Sequence, residues 1–139
     1  MNSVQLNSGF SVAPQIRTAD LPAIAAAGFR GIVNNRPDGE TPDQPPSQEI
    51  EAAAKRLGLA YAHIPVVPGE ICDAQAHGLD DFLGRAQGPV LGFCRTGTRA
   101  VQLWALQQAA HGNVEDILSA ASRAGYDLAS LRPRLEAAR

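Results

Sequence analysis

The segment PVLGFCRTGTR, residues 89–99, decides how the rest of the chain is interpreted. Residues 89–93 form a short, almost wholly apolar run, which is typical of a buried strand in a parallel sheet. The segment CRTGTR follows at once and leads into residues 100–110, whose apolar pattern favours a helix. The sequence therefore predicts a strand, a tight loop and a helix in succession, with Cys94 where the strand ends.

This predicted loop has the chemistry of an anion site beside a nucleophile. A helix that starts just after the loop directs backbone N–H groups and the positive end of its dipole at the Cys94 sulfur, which favours the thiolate. Gly97 permits close approach or a positive φ, and the planar guanidinium of Arg99 matches two oxygens of a phosphate. Cys94 and Arg99 are therefore the predicted catalytic residues. The predicted phosphate-binding residues are Arg95, Thr96, Gly97 and Thr98.

Two reactions suit a nucleophile that lies within an anion site. In the first, Cys94 attacks a bound phosphorus and forms a phosphocysteine, which water then hydrolyses. In the second, Cys94 carries sulfur as a persulfide. The residues of the loop alone leave both open.

The segments around this loop predict an α/β fold. A helical pattern of apolar residues at i, i+3, i+4 and i+7 recurs four times, starting at Leu21, Ile50, Leu79 and Val114. Short β-type runs lie between these helices, at residues 31–34, 59–64 and 89–93. Such alternation predicts a mostly parallel central sheet flanked by helices, with a first strand within residues 4–13 at an edge. We expect a single domain over residues 1–139.

Composition and charge exclude several classes of function. Twelve Lys and Arg against fourteen Asp and Glu give a net charge of −2, which argues against nucleic-acid binding. No apolar run approaches the roughly 18 residues of a membrane span, and the first residues lack the features of an export signal. We therefore expect a cytoplasmic protein without a membrane partner. Its two cysteines are expected as thiols in that compartment.

Four separated motifs, in this order, resemble the phosphatase-like domain of bacterial beta-lactamase hydrolase-like proteins. That family resembles the cysteine-dependent dual-specificity and tyrosine phosphatases. The resemblance implies hydrolysis of phosphomonoesters through a phosphocysteine, without a cofactor, on a phosphorylated protein or small molecule. The motifs are IVNNRPDGE at 32–40, YAHIPV at 61–66, CRTGTR at 94–99 and GYDL at 125–128.

The chain departs from the wider phosphatase pattern, which reads His-Cys, five residues, Arg, then Ser or Thr. Here Phe93 replaces the His, four residues separate Cys94 from Arg99, and Ala100 follows the arginine. Without the histidine, the loop loses a residue that orients it, and without the Ser or Thr it loses a hydroxyl that helps the thiolate leave. The shorter loop also leaves less space for a bound anion. Thr96 or Thr98 is a candidate replacement for that hydroxyl.

These departures keep two alternative functions open. Many rhodanese-type sulfurtransferases carry a six-residue loop of the form Cys-Arg-x-Gly-x-Arg, which makes sulfur transfer through a Cys94 persulfide the first alternative. A catalytically silent module that only binds anions is the second. A general acid is also needed for phosphatase chemistry, and the candidates are Asp38 and Glu70. Asp73 is expected to cap the helix that follows it.

The remaining reactive side chains carry weaker predictions. His63, His77 and His111 fall on different elements, so we predict no metal site. Cys72 is expected to be a thiol without a role, and a reversible disulfide with Cys94 is the alternative. The apolar helix around Trp104 fits burial in the core, and a contact within a homo-oligomer is the alternative.

Overall fold

The fold is an open, twisted sheet of five short strands with helices on both faces, as a computed structural model of residues 2–138 shows. A short 3-10 turn precedes the first helix and another precedes the last. The strands are β1 (Val4–Asn7), β2 (Phe10–Ala13), β3 (Gly31–Asn34), β4 (Ala60–His63) and β5 (Val90–Phe93). The helices are α1 (Leu21–Ala26), α2 (Ser47–Arg56), α3 (Asp73–Arg85), α4 (Thr98–Ala109), α5 (Val114–Arg123) and α6 (Arg132–Ala137).

The strand order confirms the predicted α/β architecture. The strands lie in the order β1-β2-β5-β3-β4, and every neighbouring pair except β1 and β2 is parallel. The expected single first strand is instead a hairpin: β1 forms the edge, and β2 lies inside the sheet against β5. The Asn7 side chain accepts a hydrogen bond from the Gly9 N–H at 2.9 Å, which stabilises the turn between them. β5 therefore occupies the middle of the sheet.

Two apolar layers cover the two faces of the sheet because side chains alternate along each strand. Ile32 and Leu91 face the layer formed with α1 and α2. Their neighbours Val33 and Val90 face the larger layer formed with α3, α4, α5 and α6. Strand β5, at Val90–Phe93 within the segment predicted as a buried strand, is thus covered on both sides.

Helix α4 is the central helix of the larger layer and lies next to α3, α5 and α6. Nine of its twelve residues are buried, and Trp104 is only 2% exposed. The apolar character of this helix on more than one face is therefore explained by contacts within the chain itself. A homo-oligomer stays a prediction that these contacts do not require.

The parallel strands bring three loops to one edge of the sheet. The segments after β3, β4 and β5 all leave from the carboxyl ends of their strands, where α/β proteins bind their ligands. The carboxyl edge of the sheet is therefore where a functional site is expected.

Within residues 2–138, no helix combines the length and the apolar character that crossing a bilayer requires.

Candidate active site

Cys94 lies at the carboxyl end of the central strand, immediately before the turn that starts α4. Gly97 precedes the helix with φ +92°, a left-handed conformation that strongly favours glycine. The Gly97 N–H donates a hydrogen bond to the Cys94 sulfur at 3.2 Å. Cys94 itself is fully buried. The sulfur therefore lies within the turn, beside backbone N–H groups at the N-terminus of α4.

Tyr126 supports this turn from behind. Its hydroxyl donates a hydrogen bond to the carbonyl of Thr96 at 3.1 Å. A Cβ added to Gly97 would lie 2.3 Å from the same hydroxyl, so the tyrosine fills the space that a side chain at position 97 would need. Burial raises the pKa of Tyr126, and the neighbouring Cys94 raises it further. The GYDL motif thus contributes the residue that fixes the loop.

Arg99 is buried in the first turn of α4 and is held by two acceptors. Its Nη1 and Nη2 donate to Oε2 and Oε1 of Glu40 at 2.7 and 2.9 Å, which is a bidentate ion pair. Nη1 also donates to the carbonyl of Val66 at 2.9 Å. Hydrogen bonding with Glu40 raises the pKa of Arg99, and the proximity of Cys94 adds to the effect. The guanidinium therefore has a fixed orientation next to the thiol.

These contacts leave a defined edge of the Arg99 guanidinium free. An arginine side chain has five N–H donors in a planar fork. Glu40 and Val66 engage three of them, and within residues 2–138 no carboxylate or carbonyl oxygen accepts from Nε or from the second Nη2 hydrogen, so the neighbouring group on that side is the Cys94 thiol. Those two N–H groups point in the same direction along one edge of the plane. Arg99 can therefore bind two oxygens of an anion through its Nε and Nη2 side while Glu40 stays bound to its Nη1 and Nη2 end.

Glu40 joins two buried arginines and was not among the residues predicted from the sequence. Its Oε1 accepts from Arg99 and also from Nε of Arg36 at 2.9 Å. The side chains of Arg36 and Arg99 are only 4% and 9% exposed, and that of Glu40 is 24% exposed. The hydrogen bond from Arg99 is the largest influence that lowers the pKa of Glu40, followed by that from Arg36. Its place in the NNRPDGE motif was a signal, but nothing local indicated Arg99 as its partner.

The NNR motif holds the loop that presents Glu40. Oδ1 of Asn34 accepts a hydrogen bond from the Arg36 N–H at 2.9 Å. Nδ2 of Asn35 donates to the carbonyl of Ile64, also at 2.9 Å. His63 Nε2 lies 2.8 Å from the Arg36 carbonyl oxygen. These polar contacts are buried or partly buried and connect the ends of β3 and β4. The first and second motifs therefore act together by fixing the backbone position of residues 36–40.

Tyr61 extends the same network toward α2. Its hydroxyl lies 2.6 Å from the Ser47 hydroxyl and accepts from Asn34 at 3.1 Å. Burial raises the pKa of Tyr61, so the phenol stays protonated at neutral pH. The network therefore connects the ends of β3 and β4 to the start of α2.

Within residues 2–138, the side chains of Arg95, Thr96 and Thr98 are exposed and form no hydrogen bond to the Cys94 sulfur. Both threonines are exposed, and their hydroxyls lie 3.0 Å from each other. Arg95 is exposed and lines a neighbouring cavity. Within the described chain, the hydrogen bond to Cys94 Sγ comes from Gly97. A role of these three residues in binding phosphate therefore rests on their backbone amides.

The two candidate general acids lie in different surroundings. The Asp38 Oδ1 accepts a hydrogen bond from the Ser47 N–H at 2.8 Å and so stabilises the first turn of α2. Glu70 lies in an exposed turn whose N–H donates to the Val67 carbonyl. Within residues 2–138 neither carboxylate has a hydrogen bond to Cys94 or Arg99. Their roles as acids stay predictions.

Asp73 does not cap α3 as expected, and Cys72 holds the N-cap position instead. Cys72 is the N-cap of α3, and Asp73 is the first helical residue, with a side chain that is 77% exposed and 3.7 Å from Arg134. The Cys72 N–H donates instead to Oε1 of Gln75, which satisfies the helix start without an aspartate cap. Cys72 is exposed, Cys94 is buried, and both are free thiols.

The histidines are separate from this site. His111 contacts Asp80 at 2.9 Å on the α3 and α4 side, while His63 belongs to the network behind the loop. Within the part of the chain that the structure describes, no three His, Cys, Asp or Glu side chains form a group that could hold a metal ion.

Comparison with known proteins shows the family. Residues 4–111 match the model of the family described as "Beta-lactamase hydrolase-like protein, phosphatase-like domain". A beta-lactamase hydrolase-like protein of Agrobacterium fabrum is 36% identical over 138 residues, which cover 98% of this chain and 32% of the relative. The chain spans about a third of the length of the curated relatives it matches.

Solved structures with the same fold are phosphatases by description. The crystal structure of a candidate phosphatase from Neisseria meningitidis superimposes with a TM-score of 0.84 and is 35% identical, covering 98% of this chain and 97% of the other. The crystal structure of PTPMT1 superimposes with a TM-score of 0.75 at 15% identity, covering 98% of this chain and 92% of the other. The second likeness concerns the fold alone.

Proposed function

This chain belongs to the family of phosphatase-like domains of beta-lactamase hydrolase-like proteins, and we propose that it is a cysteine-dependent phosphatase that hydrolyses phosphomonoesters. The observation that carries the proposal is the free edge of Arg99 next to the Cys94 sulfur. A guanidinium that keeps two parallel donors available can bind two oxygens of a phosphoryl group, and the N-terminus of α4 supplies backbone N–H groups to the same anion.

In the proposed reaction Cys94 acts as a thiolate nucleophile. Its sulfur forms a bond to the phosphorus while the bond from phosphorus to the ester oxygen breaks, and the leaving oxygen departs with the electron pair. Water then attacks the phosphocysteine, the phosphorus–sulfur bond breaks, and inorganic phosphate and the thiolate are released. Arg99 stabilises the charge that develops on the phosphoryl oxygens in both steps.

Glu40 is a positioning residue in this proposal. Its carboxylate holds the end of the Arg99 guanidinium, so that the side with Nε faces the anion before substrate arrives. Donors that are already oriented stabilise a transition state without the free-energy cost of reorganisation. Two positive guanidiniums beside one carboxylate also leave a net positive charge for a phosphate to neutralise.

The general acid decides which esters react fast. Asp38 is engaged at the start of α2, which leaves Glu70 as the candidate whose carboxylate has no partner among residues 2–138. An exposed carboxylate in a turn is a poorly positioned acid. We therefore expect aryl phosphates, whose leaving groups need no proton, to be hydrolysed much faster than alkyl phosphates.

Hydrolysis of an aryl phosphate by purified protein tests the proposal. We expect the wild type to release phosphate and Cys94→Ser to lose at least about 10³-fold in rate, because a hydroxyl is a far weaker nucleophile at neutral pH. Cys72→Ser is the matched control, since Cys72 is the exposed second cysteine and its loss should leave the rate unchanged. Equal rates in the wild type and Cys94→Ser would overturn the proposal.

The length of the loop supports a second candidate, sulfur transfer. Six residues from Cys94 to Arg99 give the loop size found in rhodanese-type enzymes. Incubation with thiosulfate and cyanide tests it: Cys94-dependent thiocyanate, together with a mass increase of one sulfur on the protein, would establish a persulfide. Anion binding without either product would leave a silent binding module.

A further inference from the structure

A second polar cavity opens beside the Cys94–Arg99 loop. Its volume is about 210 Å³, below the roughly 300–1,000 Å³ typical of sites for drug-sized ligands. Three arginines and one aspartate line it, so its formal charge is positive although the chain carries −2 overall. The lining residues are Gln15, Arg17, Arg36, Thr41, Asp43, Gln44 and Arg95.

Arg36 forms the fixed wall of this cavity. Its Nε donates to Glu40, its Nη1 donates to Gln15 Oε1 at 3.0 Å, and its Nη2 lies 3.3 Å from Thr41 Oγ1. The side chain is 4% exposed, so its charge is largely removed from water. Arg36 and Arg99 share the single carboxylate of Glu40, so this buried group of charges stays net positive and attracts an anion to the cavity.

Arg17 and Arg95 leave donors available at the mouth of the cavity. Arg17 is 59% exposed and lies 3.9 Å from Asp43, a long ion pair. Within residues 2–138, Arg95 has no carboxylate at ion-pair distance. The backbone of Arg95 is fixed all the same, because its carbonyl accepts from the Gln15 N–H at 3.2 Å. An anion that enters here can contact two guanidiniums at once.

The cavity and the reaction site share one carboxylate oxygen. Glu40 Oε1 accepts from Arg36 on the cavity side and from Arg99 on the site side, at 2.9 Å in each case. Arg95, on the cavity side, directly follows Cys94 in the chain. A molecule whose phosphoryl group lies against Cys94 therefore has an adjacent, positively charged cavity within reach.

We propose that this cavity binds a second phosphoryl group, so that the preferred substrates are small molecules carrying two phosphates close together. The inference rests on the phosphatase activity proposed above. The cavity fits one phosphoryl group with a few attached carbons, and paired arginine forks match its oxygens. Arg17 and Arg95 then determine specificity, while Cys94 and Arg99 act on the other phosphate.

Calorimetric titration with phosphonates tests the cavity without needing turnover. Methylphosphonate is the one-anion probe, and the alkane-α,ω-bisphosphonates with spacers of one to four carbons are the two-anion probes, all at one pH and ionic strength. We expect at least one bisphosphonate to bind the wild type about tenfold or more tightly than methylphosphonate, as a hydrogen bond to a charged group typically contributes. Arg17→Gln and Arg95→Gln should each abolish most of this ratio.

Arg85→Gln is the matched control. Arg85 is also exposed, and it lines a different cavity at the amino ends of the parallel strands, so the substitution changes the net charge equally. The ratio of affinities should stay at the wild-type value in this variant. Circular dichroism checks that all three variants are folded.

Two results would overturn the inference: no bisphosphonate binds more tightly than methylphosphonate, or the gain persists in both Arg17→Gln and Arg95→Gln. Aryl phosphate hydrolysis, measured separately, decides the proposed function. Turnover without a bisphosphonate gain refutes the second subsite alone. A bisphosphonate gain without turnover refutes the phosphatase proposal and leaves the binding of two phosphoryl groups established.

Discussion

The two edges of the parallel strands both carry arginines but use them differently. At the amino edge, Arg30 and Arg85 line a cavity of about 320 Å³, and within residues 2–138 neither forms an ion pair. At the carboxyl edge, Arg36 and Arg99 are almost fully buried and share Glu40. Arg30 and Arg85 are thus solvated at the amino edge, whereas Arg36 and Arg99 are desolvated and oriented at the carboxyl edge.

This difference indicates where chemistry is favourable. A solvated arginine has to lose water and side-chain freedom when it binds an anion, which offsets much of the interaction. Arg99 loses its water and its side-chain freedom during folding instead, because Glu40 and Val66 fix its guanidinium and the protein surrounds it. The carboxyl edge is therefore prepared for an anion, whereas the amino edge is an ordinary charged surface.

The largest expected effect comes from replacing the guanidinium of Arg99 at the carboxyl edge. Arg99→Lys should lower kcat/KM for an aryl phosphate about 10²–10³-fold, because an ammonium cannot hold Glu40 and two phosphoryl oxygens together. Steady-state kinetics measure this effect. Arg85→Lys, at the amino edge, should leave kcat/KM unchanged. If both variants behave alike, the contrast between the two edges has no functional meaning.

A substitution in the turn should give the next largest effect. Gly97→Ala places a Cβ 2.3 Å from the Tyr126 hydroxyl at φ +92°, and we expect about 3 kcal/mol lower free energy of unfolding from strain and overpacking. Gly58→Ala is the control, since Gly58 also has a positive φ but nothing within 4 Å of an added Cβ. Gly58→Ala should lower the free energy of unfolding by only about 1 kcal/mol. Urea unfolding of both variants measures the difference.

Glu40→Gln removes the charge that the two buried arginines share. We expect the free energy of unfolding to fall by about 1–3 kcal/mol at neutral pH. We also expect a lower kcat, because Glu40 no longer fixes the orientation of the Arg99 guanidinium. Glu51→Gln is the control, because Glu51 pairs with Lys55 on an exposed helix surface and contributes only about 0.5 kcal/mol. An equal loss in both variants would contradict the special role of Glu40.

Lowering the pH should remove the contribution of Glu40 to the free energy of unfolding. The arginines hold its pKa below the ordinary 4.5, so the stabilisation is complete above about pH 4.5 and is lost as the pH falls through the lowered pKa. The difference in unfolding free energy between wild type and Glu40→Gln should therefore be constant from pH 7 to about 5 and shrink below. A difference that persists unchanged at lower pH would mean that charge on Glu40 is not its source.

The smallest expected effect belongs to the Tyr126 hydroxyl. Tyr126→Phe removes its hydrogen bond to Thr96 and should cost about 0.5–1.5 kcal/mol in unfolding free energy. The same change removes the atom that meets a Cβ at position 97, so Gly97→Ala should be less destabilising in a Tyr126→Phe background. A double-mutant cycle measures this coupling. Strictly additive losses would show that the tyrosine does not confine the turn.

The sequence by itself determined the α/β order of elements, the central strand 89–93 and the place of Cys94 before a helix. These features depend on apolar periodicity and on neighbours in the chain, which act within a few residues. The family was likewise evident from four motifs, and the matching family model confirms it. The hairpin of β1 and β2 was missed because a turn of Asn7 to Gly9 between two four-residue strands leaves little periodicity to detect.

Only the tertiary structure decided which side chains meet. Glu40 and Arg99 are 59 residues apart, and their contact exists because the loops after β3 and β5 leave neighbouring parallel strands at one edge. The same convergence directs Asp38 to the start of α2 instead of the thiol, and Arg95 to the adjacent cavity. Periodicity specifies which face of an element is buried, but the partner of a polar side chain depends on strand order and register, which the whole core sets.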